Sequence, residues 1–461
     1  MVFSSLNFLF IFLPIIMIIY FVVPFKVKNI VLLIASIIFY AWGEPVYVIL
    51  MLLSILFNYV AGLKLEQTFS KNERKKQLVL AIVVNLLLLG FFKYAGFIIG
   101  TINSVFGASI AWNELSLPIG ISFYTFQALS YIIDVYRGGV SVQKNIINFA
   151  TYITMFPQLI AGPIVRYKDI AKELATRKIS MAKTGQGMER LLLGLAKKVI
   201  LANNLGLLYT TIQGLDERSF LTAWLGAICY TLQIYFDFSG YSDMAIGMGK
   251  MLGFNFPENF DYPYLAKNIT EFWRKWHMTL SGWFREFVYI PLGGNRVNVG
   301  RHILNLLIVW ALTGLWHGAS WNFVLWGVYY GIILIIEKYV LIPLCKNVPG
   351  WIKHIYAMIL VIIGWVIFSN TDFSQMGTYL GNMFGSGVSG FVDSDFIYYL
   401  RSNLLLIVIS IICCSPVIKN LIMRISKKTA VLAVIILVVL FLVSISFLVA
   451  GSYNPFLYFR F

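Results

Sequence analysis

One histidine of this sequence lies at membrane depth. His317 falls in residues 313–322, TGLWHGASWN, between two long apolar runs. An ionisable side chain is costly to place in hydrocarbon, so such residues are functional candidates by default. Because a histidine exchanges a proton near neutral pH, it suits a general base. We therefore take His317 as a catalytic candidate and Asn322 as a substrate-binding candidate; the alternative is a structural histidine that is hydrogen-bonded to a neighbouring helix.

A second histidine, His277, lies in residues 272–294, which alternate aromatic with charged side chains. If this segment is helical, His277 and Ser281 share one face, because they are four residues apart. We take His277 as a second catalytic candidate, and Ser281 and Arg274 as substrate-binding candidates. The alternative is an interfacial belt in which aromatic and basic side chains anchor the chain at the lipid headgroups.

Two carboxylates, Asp237 and Asp243, lie in the hydroxyl-rich residues 233–243 at the end of an apolar run. Buried carboxylates need partners, and we expect Arg274 or Lys275 to supply them. This pairing is either purely architectural or part of a substrate-binding site.

The histidines and cysteines form no recognisable metal motif. No His-Glu-x-x-His pattern and no Cys-x-x-Cys pair occurs in the sequence. Since His277 and His317 come from separate segments, they could share a metal only through tertiary folding. We expect neither a metal nor a bound cofactor.

The elements that position these residues are membrane spans. The chain is 59% hydrophobic and 12% charged, whereas a soluble domain carries roughly 25% charged residues. With about 20 apolar residues per span, the sequence predicts an all-α polytopic bundle of about eleven to twelve spans with re-entrant or interfacial helices; twelve is the working count. The predicted spans lie near residues 6–24, 29–41, 46–63, 78–98, 117–135, 199–212, 219–236, 303–316, 319–342, 352–369, 399–419 and 429–450.

Two apolar or aromatic segments do not fit a span. Residues 145–162 are flanked by basic residues on both sides and should dip into the membrane and return, whereas residues 237–301 should form interfacial or re-entrant helices. The basic loops 64–77 and 166–198 should be cytoplasmic. The net charge of +16 comes from such clusters, not from one basic face, so we expect membrane lipid and no nucleic acid as a partner.

Five stretches, in this order, resemble the membrane-bound O-acyltransferase family. They are residues 117–127, 156–163, 235–243, 273–277 and 316–318. Each stretch alone is weak, but the ordered set is specific and covers nearly the whole chain. Within the family, residues 40–45 and 454–461 make the chain most similar to the branch that O-acetylates alginate. The branch that transfers D-alanine to teichoic acid is the runner-up.

The resemblance implies a helical bundle with a central tunnel in the bacterial plasma (inner) membrane. We accordingly expect a single integral membrane acyltransferase domain over residues 1–461. It comprises N-terminal spans (1–116), a motif-bearing core (117–342) and C-terminal spans (343–461).

The resemblance also implies the chemistry. It implies that the acyl donor is a cytoplasmic thioester, namely acetyl-CoA, and that the acceptor is an extracytoplasmic polysaccharide. It also implies that a separate extracytoplasmic acetyltransferase is the partner protein. The two family histidines correspond to His317 and His277. His317 would act as general base toward an acceptor hydroxyl or carry the acyl group transiently, while Asn322, His277 and Ser281 would orient the acyl carbonyl or the acceptor. Two other classes of function are alternatives to acyl transfer: a transporter or lipid flippase, and a scaffold for a polysaccharide synthase.

Overall fold

A computed structural model describes residues 1–113, 115–160, 162–451 and 453–457 of the chain. Within these residues the regular structure is entirely helical. Nine of the helices that it describes are long and apolar enough to cross a membrane. The prediction of an all-α, polytopic membrane protein is thus confirmed, while the central tunnel stays a prediction.

Twenty-one α-helices form the framework of the described residues. Those of the first half are α1 (Leu13–Val22), α2 (Phe25–Gly43), α3 (Tyr47–Gln67), α4 (Lys71–Phe106), α5 (Ile121–Arg137), α6 (Ile146–Thr154), α7 (Phe156–Leu159), α8 (Tyr167–Ala175), α9 (Met181–Ala196) and α10 (Asn203–Gln213). The others are α11 (Phe220–Met251), α12 (Ile269–Lys275), α13 (Met278–Phe284), α14 (Val299–His317), α15 (Trp321–Ile336), α16 (Ile342–Leu344), α17 (Gly350–Ser369), α18 (Phe373–Met383), α19 (Ser394–Cys413), α20 (Val417–Lys428) and α21 (Ala430–Ala450). Wider π-type turns occupy Phe8–Phe12, Lys197–Ala202, Arg285–Tyr289 and Glu337–Leu341, and Pro263–Leu265 is a 3₁₀ turn.

Nine of the twelve predicted spans overlap one of the long apolar helices. The remaining three, near residues 6–24, 117–135 and 219–236, are helical too, but they differ in length or polarity. Phe8–Val22 is a shorter apolar helix, α5 has 17 residues, and α11 combines apolar and polar residues over 32 positions.

Asn and Asp side chains mark where several helices begin. The side-chain oxygen of Asn298 accepts a hydrogen bond from the backbone N–H of Arg301 at 2.9 Å, at the start of α14. Asn268, Asp372 and Asp393 cap α12, α18 and α19 in the same way. Such caps satisfy amide groups that have no partner within the first turn of a helix.

The segment between residues 145 and 162 is folded as two short helices. Asn145 caps α6, and the helix stops after 9 residues, where α7 continues for only 4 residues. At 1.5 Å per residue, α6 extends for only about 14 Å, roughly half of a hydrocarbon core. Neither helix alone is long enough to cross, in agreement with the expectation that this segment is not a span; that it dips into the membrane and returns stays a prediction.

The sequence misplaced two helix boundaries. Residues 237–251 belong to α11, which runs without a break through Asp237, and not to a separate interfacial segment. Likewise, the predicted loop 166–198 contains α8 and α9, and α9 continues through the following π-type turn into α10. Both errors arose because charged residues were read as loop residues, whereas several of them are paired inside the protein.

Glycines explain why these polar helices pack closely. A Cβ atom on Gly247 of α11 would lie 2.6 Å from the carbonyl oxygen of Gly187 in α9, and one on Gly240 would lie 2.7 Å from that of Gly194. Real Cβ atoms do not come this close, so only glycine fits at either position. Small residues at regular spacing are a typical means of helix association in membranes.

The chain divides into two compact units. The first consists of residues 1–191 and 241–257, and the second of residues 192–240 and 258–461. Both histidine candidates, His277 and His317, belong to the second unit.

The packing of α14 against α15 in the second unit also depends on glycine, and it supports a prediction. In the Gly327→Ala variant the new Cβ atom would lie 2.3 Å from the carbonyl oxygen of Trp310. Since α14 and α15 must then separate, we expect the variant to lose about 1–3 kcal/mol of stability, measured by thermal unfolding of the purified protein.

The matched control is Gly331→Ala on the same face of α15. Its Cβ atom would meet only side-chain atoms, Trp310 Cβ at 3.3 Å and Leu307 Cδ2 at 3.4 Å, so we expect little loss. Equal melting temperatures for the two variants would contradict this account of the helix packing.

Candidate functional site

His317 is the last residue of α14. The chain then turns sharply toward α15, and Gly318 adopts an extended conformation. A Cβ atom on Gly318 would lie 2.2 Å from the ring of Phe323, so this glycine lets the two helices follow one another closely. The Trp316-His317-Gly318 motif therefore has a structural reason for its glycine as well as a chemical candidate in its histidine.

The imidazole of His317 is enclosed by aromatic rings. Its side chain is buried, with a residue exposure of 6%. The ring centroids of Trp326, Trp316 and Phe368 lie 5.0, 5.1 and 5.3 Å from that of His317. In such an apolar surrounding, charges and hydrogen bonds act more strongly than in water.

His277 lies between two short helices instead of within one. It adopts a positive φ of 44° and precedes the first residue of α13, while α12 ends at Lys275. The condition for a shared helical face with Ser281 is therefore not met. The backbone N–H of Ser281 donates to the carbonyl oxygen of His277 at 3.1 Å, and its hydroxyl donates to the carbonyl oxygen of Trp273 at 3.3 Å.

Asn259 determines which ring nitrogen of His277 carries the proton. The Oδ1 atom of Asn259 lies 3.0 Å from Nδ1 of His277 and accepts hydrogen bonds from the hydroxyl and the backbone N–H of Thr279 at 2.9 and 3.4 Å. Because Oδ1 is an acceptor, this network assigns the proton to Nδ1 and makes Nε2 the acceptor nitrogen. Burial and, to a lesser extent, the neighbouring His317 hold the pKa of His277 well below its usual range, so the ring is neutral at pH 7.

Trp316 brings the two histidines together. Its ring centroid lies 5.8 Å from that of His277 and 5.1 Å from that of His317. On the other side of His277, the ring of Phe238 makes an edge contact at 4.7 Å. Two histidines from separate segments thus contact the same indole ring, and their catalytic roles stay a prediction.

Asn322 is fully buried in the first turn of α15. Its amide nitrogen donates to the carbonyl oxygens of Phe368 and Ile367 at 3.0 and 3.4 Å. In the part of the chain that the structure describes, its Oδ1 atom has no hydrogen-bond partner. The atom of Asn322 that remains for a substrate is therefore an acceptor, which can bind a hydroxyl or an amide N–H.

The predicted partners of the two carboxylates are wrong. Asp237 forms a buried ion pair with Lys198, with Nζ and Oδ1 2.7 Å apart, and Asp243 pairs with Arg190 at 2.8 Å. Arg274 is exposed.

Lys275 is not a partner of either carboxylate. It pairs with Glu271 at 3.0 Å. The structure instead pairs the two carboxylates with bases that lie before them in the sequence, because helix packing within each unit brings those bases close.

The Lys198–Asp237 pair also holds the segment that follows α21. The backbone N–H of Leu457 donates to Oδ2 of Asp237 at 3.0 Å, and Lys198 donates to the carbonyl oxygen of Pro455. Lys198 also donates to Asn203 Oδ1 at 2.7 Å. Asp237 thus has structural partners on two sides, and its part in substrate binding stays a prediction. Of the predicted motif 454–461, residues 458–461 lie outside the described residues.

Sequence reasoning missed Asn259, Lys198 and Trp326. Lys198 could have been found from the sequence, because a lysine between apolar runs needs a buried partner. Trp326 lies one helical turn after Asn322, so the two share a face of α15. Asn259 had no such signal, since its contact with His277 depends on the path of the chain between them.

No cluster of three or more His, Cys, Asp or Glu side chains suited to a metal ion occurs in the described ranges. The groups that the structure places around His317 are the rings of Trp316, Trp326 and Phe368.

Comparison with known proteins decides the family. The model of the membrane-bound O-acyltransferase family matches residues 137–371, which include both histidines and the carboxylates. A probable alginate O-acetylase AlgI from Pseudomonas putida is 38% identical over the whole of both chains. This chain belongs to the membrane-bound O-acyltransferase family. It is thus an O-acyltransferase and a multi-pass membrane protein.

Other relatives of this membrane-bound O-acyltransferase carry related names. A probable alginate O-acetylase AlgI from Azotobacter vinelandii is 42% identical over 84% of this chain and 79% of its own length. A peptidoglycan O-acetyltransferase from Helicobacter pylori is 34% identical over 84% of this chain and 81% of its own. All three named relatives are thus described as O-acetylating enzymes.

Proposed function

We propose that this enzyme takes an acetyl group from acetyl-CoA at the cytoplasmic side of the bacterial plasma membrane and passes it across for O-acetylation of an extracytoplasmic polysaccharide. The observation that carries the proposal is the pair of buried histidines, His277 and His317, on one indole ring. The names of the relatives support an acetyl group and a polysaccharide acceptor.

His317 is the general base in this proposal. Its imidazole takes the proton of an acceptor hydroxyl as that oxygen attacks the thioester carbonyl carbon. When the tetrahedral intermediate collapses, the carbon–sulfur bond breaks, and the proton returns from His317 to the departing thiolate. A positioned base contributes typically about 10²- to 10⁴-fold to the rate of such a step.

His277 is the second histidine of this mechanism. Its neutral ring presents Nε2 as an acceptor, because Nδ1 is held by Asn259. A neutral ring beside His317 adds no repulsion when His317 becomes cationic. His277 therefore permits proton transfer to His317 while it remains neutral itself.

The acceptor sugar binds next to Asn322. Since the amide nitrogen of Asn322 donates to two backbone carbonyl groups, its Oδ1 atom is the group that accepts from a second hydroxyl of the acceptor, while the attacking hydroxyl gives its single proton to His317. The final acceptor is a polymer outside the cell, and a separate extracytoplasmic acetyltransferase is the partner that receives or directs the acetyl group.

The test is chemical analysis of cells that lack this gene and are complemented with the wild-type chain. We expect the base-labile acetate of the surface or secreted polysaccharide to fall on deletion and to return on complementation, while ester-linked D-alanine stays constant. A change in D-alanine with constant acetate would replace acetyl by D-alanyl transfer. If neither ester responds, the proposal is wrong.

A further inference from the structure

The residues that were expected to orient the acyl carbonyl have their donor groups committed elsewhere. The amide nitrogen of Asn322 donates to backbone carbonyl groups, and the hydroxyl of Ser281 donates to Trp273. Nδ1 of His277 is bonded to Asn259. A carbonyl oxygen that gains negative charge in an acyl-transfer reaction needs hydrogen-bond donors, so the donor must be another group near His317.

Trp326 offers such a donor. It lies on α15 one turn after Asn322, its ring centroid is 5.0 Å from that of His317, and the residue is 1% exposed. Across the described residues, its indole Nε1–H has no hydrogen-bond partner. A buried N–H without an acceptor is costly, and such groups are uncommon unless a ligand or water completes them.

The surrounding rings fix the position of this indole. Trp273 and Tyr330 make edge contacts with Trp326 at 5.4 and 5.2 Å, Phe368 does so at 5.3 Å, and Trp365 stacks on it at 6.1 Å. An N–H near an aromatic face gains only a weak interaction. A fixed donor in an apolar enclosure needs no reorganisation when charge develops on its acceptor, which is the condition for effective electrostatic stabilisation.

We infer that the indole N–H of Trp326 donates a hydrogen bond to the carbonyl oxygen of the acyl group during transfer. This inference rests on the proposed function. When the acceptor oxygen bonds to the carbonyl carbon, the π-electron pair moves onto the carbonyl oxygen, and Trp326 stabilises that charge without giving up its proton. When the carbon–oxygen double bond re-forms, the thiolate leaves and takes its proton from His317. Asn322 and Trp326 thus have different partners: Asn322 accepts a hydrogen bond from a second hydroxyl of the acceptor, and Trp326 donates one to the carbonyl group that is attacked.

The first test is the Trp326→Phe variant, which keeps an aromatic ring but removes the donor. Loss of one such donor costs about 10²- to 10³-fold in kcat in well-studied acyl-transfer sites, so we expect a fall of roughly 10²-fold with KM changed by less than about threefold. The matched control is Trp310→Phe, because Trp310 contacts the same cluster, 4.8 Å from Trp273, but makes only a 6.3 Å contact with Trp326. We expect Trp310→Phe to keep the wild-type kcat and to have a melting temperature similar to that of Trp326→Phe.

The second test measures binding without turnover. S-acetonyl-CoA is a thioether whose carbonyl group is separated from sulfur by one methylene group, whereas S-propyl-CoA is the corresponding thioether without a carbonyl group. We expect the wild-type enzyme and Trp310→Phe to prefer the acetonyl compound by about fivefold to tenfold, as one added hydrogen bond implies, and Trp326→Phe to bind both equally.

The outcomes separate the two proposals. If Trp326→Phe keeps the wild-type kcat and the wild-type preference for the carbonyl compound, the role of Trp326 is overturned while the proposed function stands. If the wild-type enzyme neither binds these compounds nor uses acetyl-CoA, the proposed donor is wrong, and the inference falls with it.

Discussion

Replacing His317 with alanine is expected to lower the rate of acetyl transfer by at least about 10²-fold, and up to about 10⁴-fold. The imidazole is the ionisable group that the aromatic rings of Trp316, Trp326 and Phe368 enclose. Without it the acceptor hydroxyl keeps its proton and attacks poorly. The measurement is the rate of acetyl release from acetyl-CoA to an acceptor by purified enzyme, at equal protein concentration.

The control for this prediction is His354→Ala. His354 is the histidine near the start of α17, and its Nδ1 atom is 3.0 Å from the carbonyl oxygen of Ala266. Because this bond holds it to a loop backbone and not to the rings around His317, we expect its substitution to leave the transfer rate within about twofold. Added imidazole should restore part of the activity of His317→Ala, because it supplies the missing base. Wild-type transfer by a normally folded His317→Ala variant would remove this residue from the mechanism.

Replacing Asp237 with alanine is expected to destabilise the protein by about 3–5 kcal/mol, because Lys198 would be left buried without its counter-charge. The two side chains are 3% and 1% exposed and lie 2.7 Å apart. The variant also removes the acceptor of the Leu457 N–H. Thermal unfolding of the purified protein, followed by helical signal, gives the comparison.

A double variant separates the ion pair from the packing around it. The double variant Lys198→Met, Asp237→Leu removes both charges. Proteins in which a buried ion pair is replaced in this way often keep most of their stability. We therefore expect the double variant to have a clearly higher melting temperature than Asp237→Ala. Glu271→Ala serves as the surface control. Its pair with Lys275 is about a third exposed, and such pairs contribute at most about 1 kcal/mol. A loss for Asp237→Ala no larger than for Glu271→Ala would contradict the buried-pair account.

Asp237 also helps to position the residues around His277. Asp237 precedes Phe238, whose ring packs against His277. The ion pair and its bond to Leu457 therefore fix the part of α11 that supports one of the two histidines. We expect Asp237→Ala to reduce acetyl transfer through lost order near His277, whereas His317→Ala reduces transfer without a comparable loss of stability.

The hydrophobic pattern of the chain predicted most of the framework. Twenty-residue apolar runs fold as helices because their backbone groups must be satisfied within each segment in lipid, and this requirement can be read locally. The same reasoning failed at α9 and α11. There, Arg190 pairs with Asp243, and Lys198 pairs with Asp237. Because these charges are paired within the fold, they are compatible with continuous helices.

The site was predicted in part. His317 was singled out because an ionisable group in an apolar segment is costly, and His277 because its motif resembles that of the family; the structure places both against Trp316. Ser281 and Asn322 were expected to orient a substrate through their polar groups. The structure shows which of those groups remain, since the hydroxyl of Ser281 and the amide nitrogen of Asn322 are already bonded.

The sequence by itself determined that this protein is a polytopic helical membrane protein of the O-acyltransferase family with two histidines of interest. These features follow from composition, from the length of apolar runs and from ordered motifs, all of which are local properties of the chain. Only the tertiary structure decided that Asn259 orients His277, that Lys198 pairs with Asp237, and that Trp326 lies against His317 with its N–H unbonded among the described residues. Each of these contacts joins residues from separate segments, and helix packing, not spacing, brings such residues together.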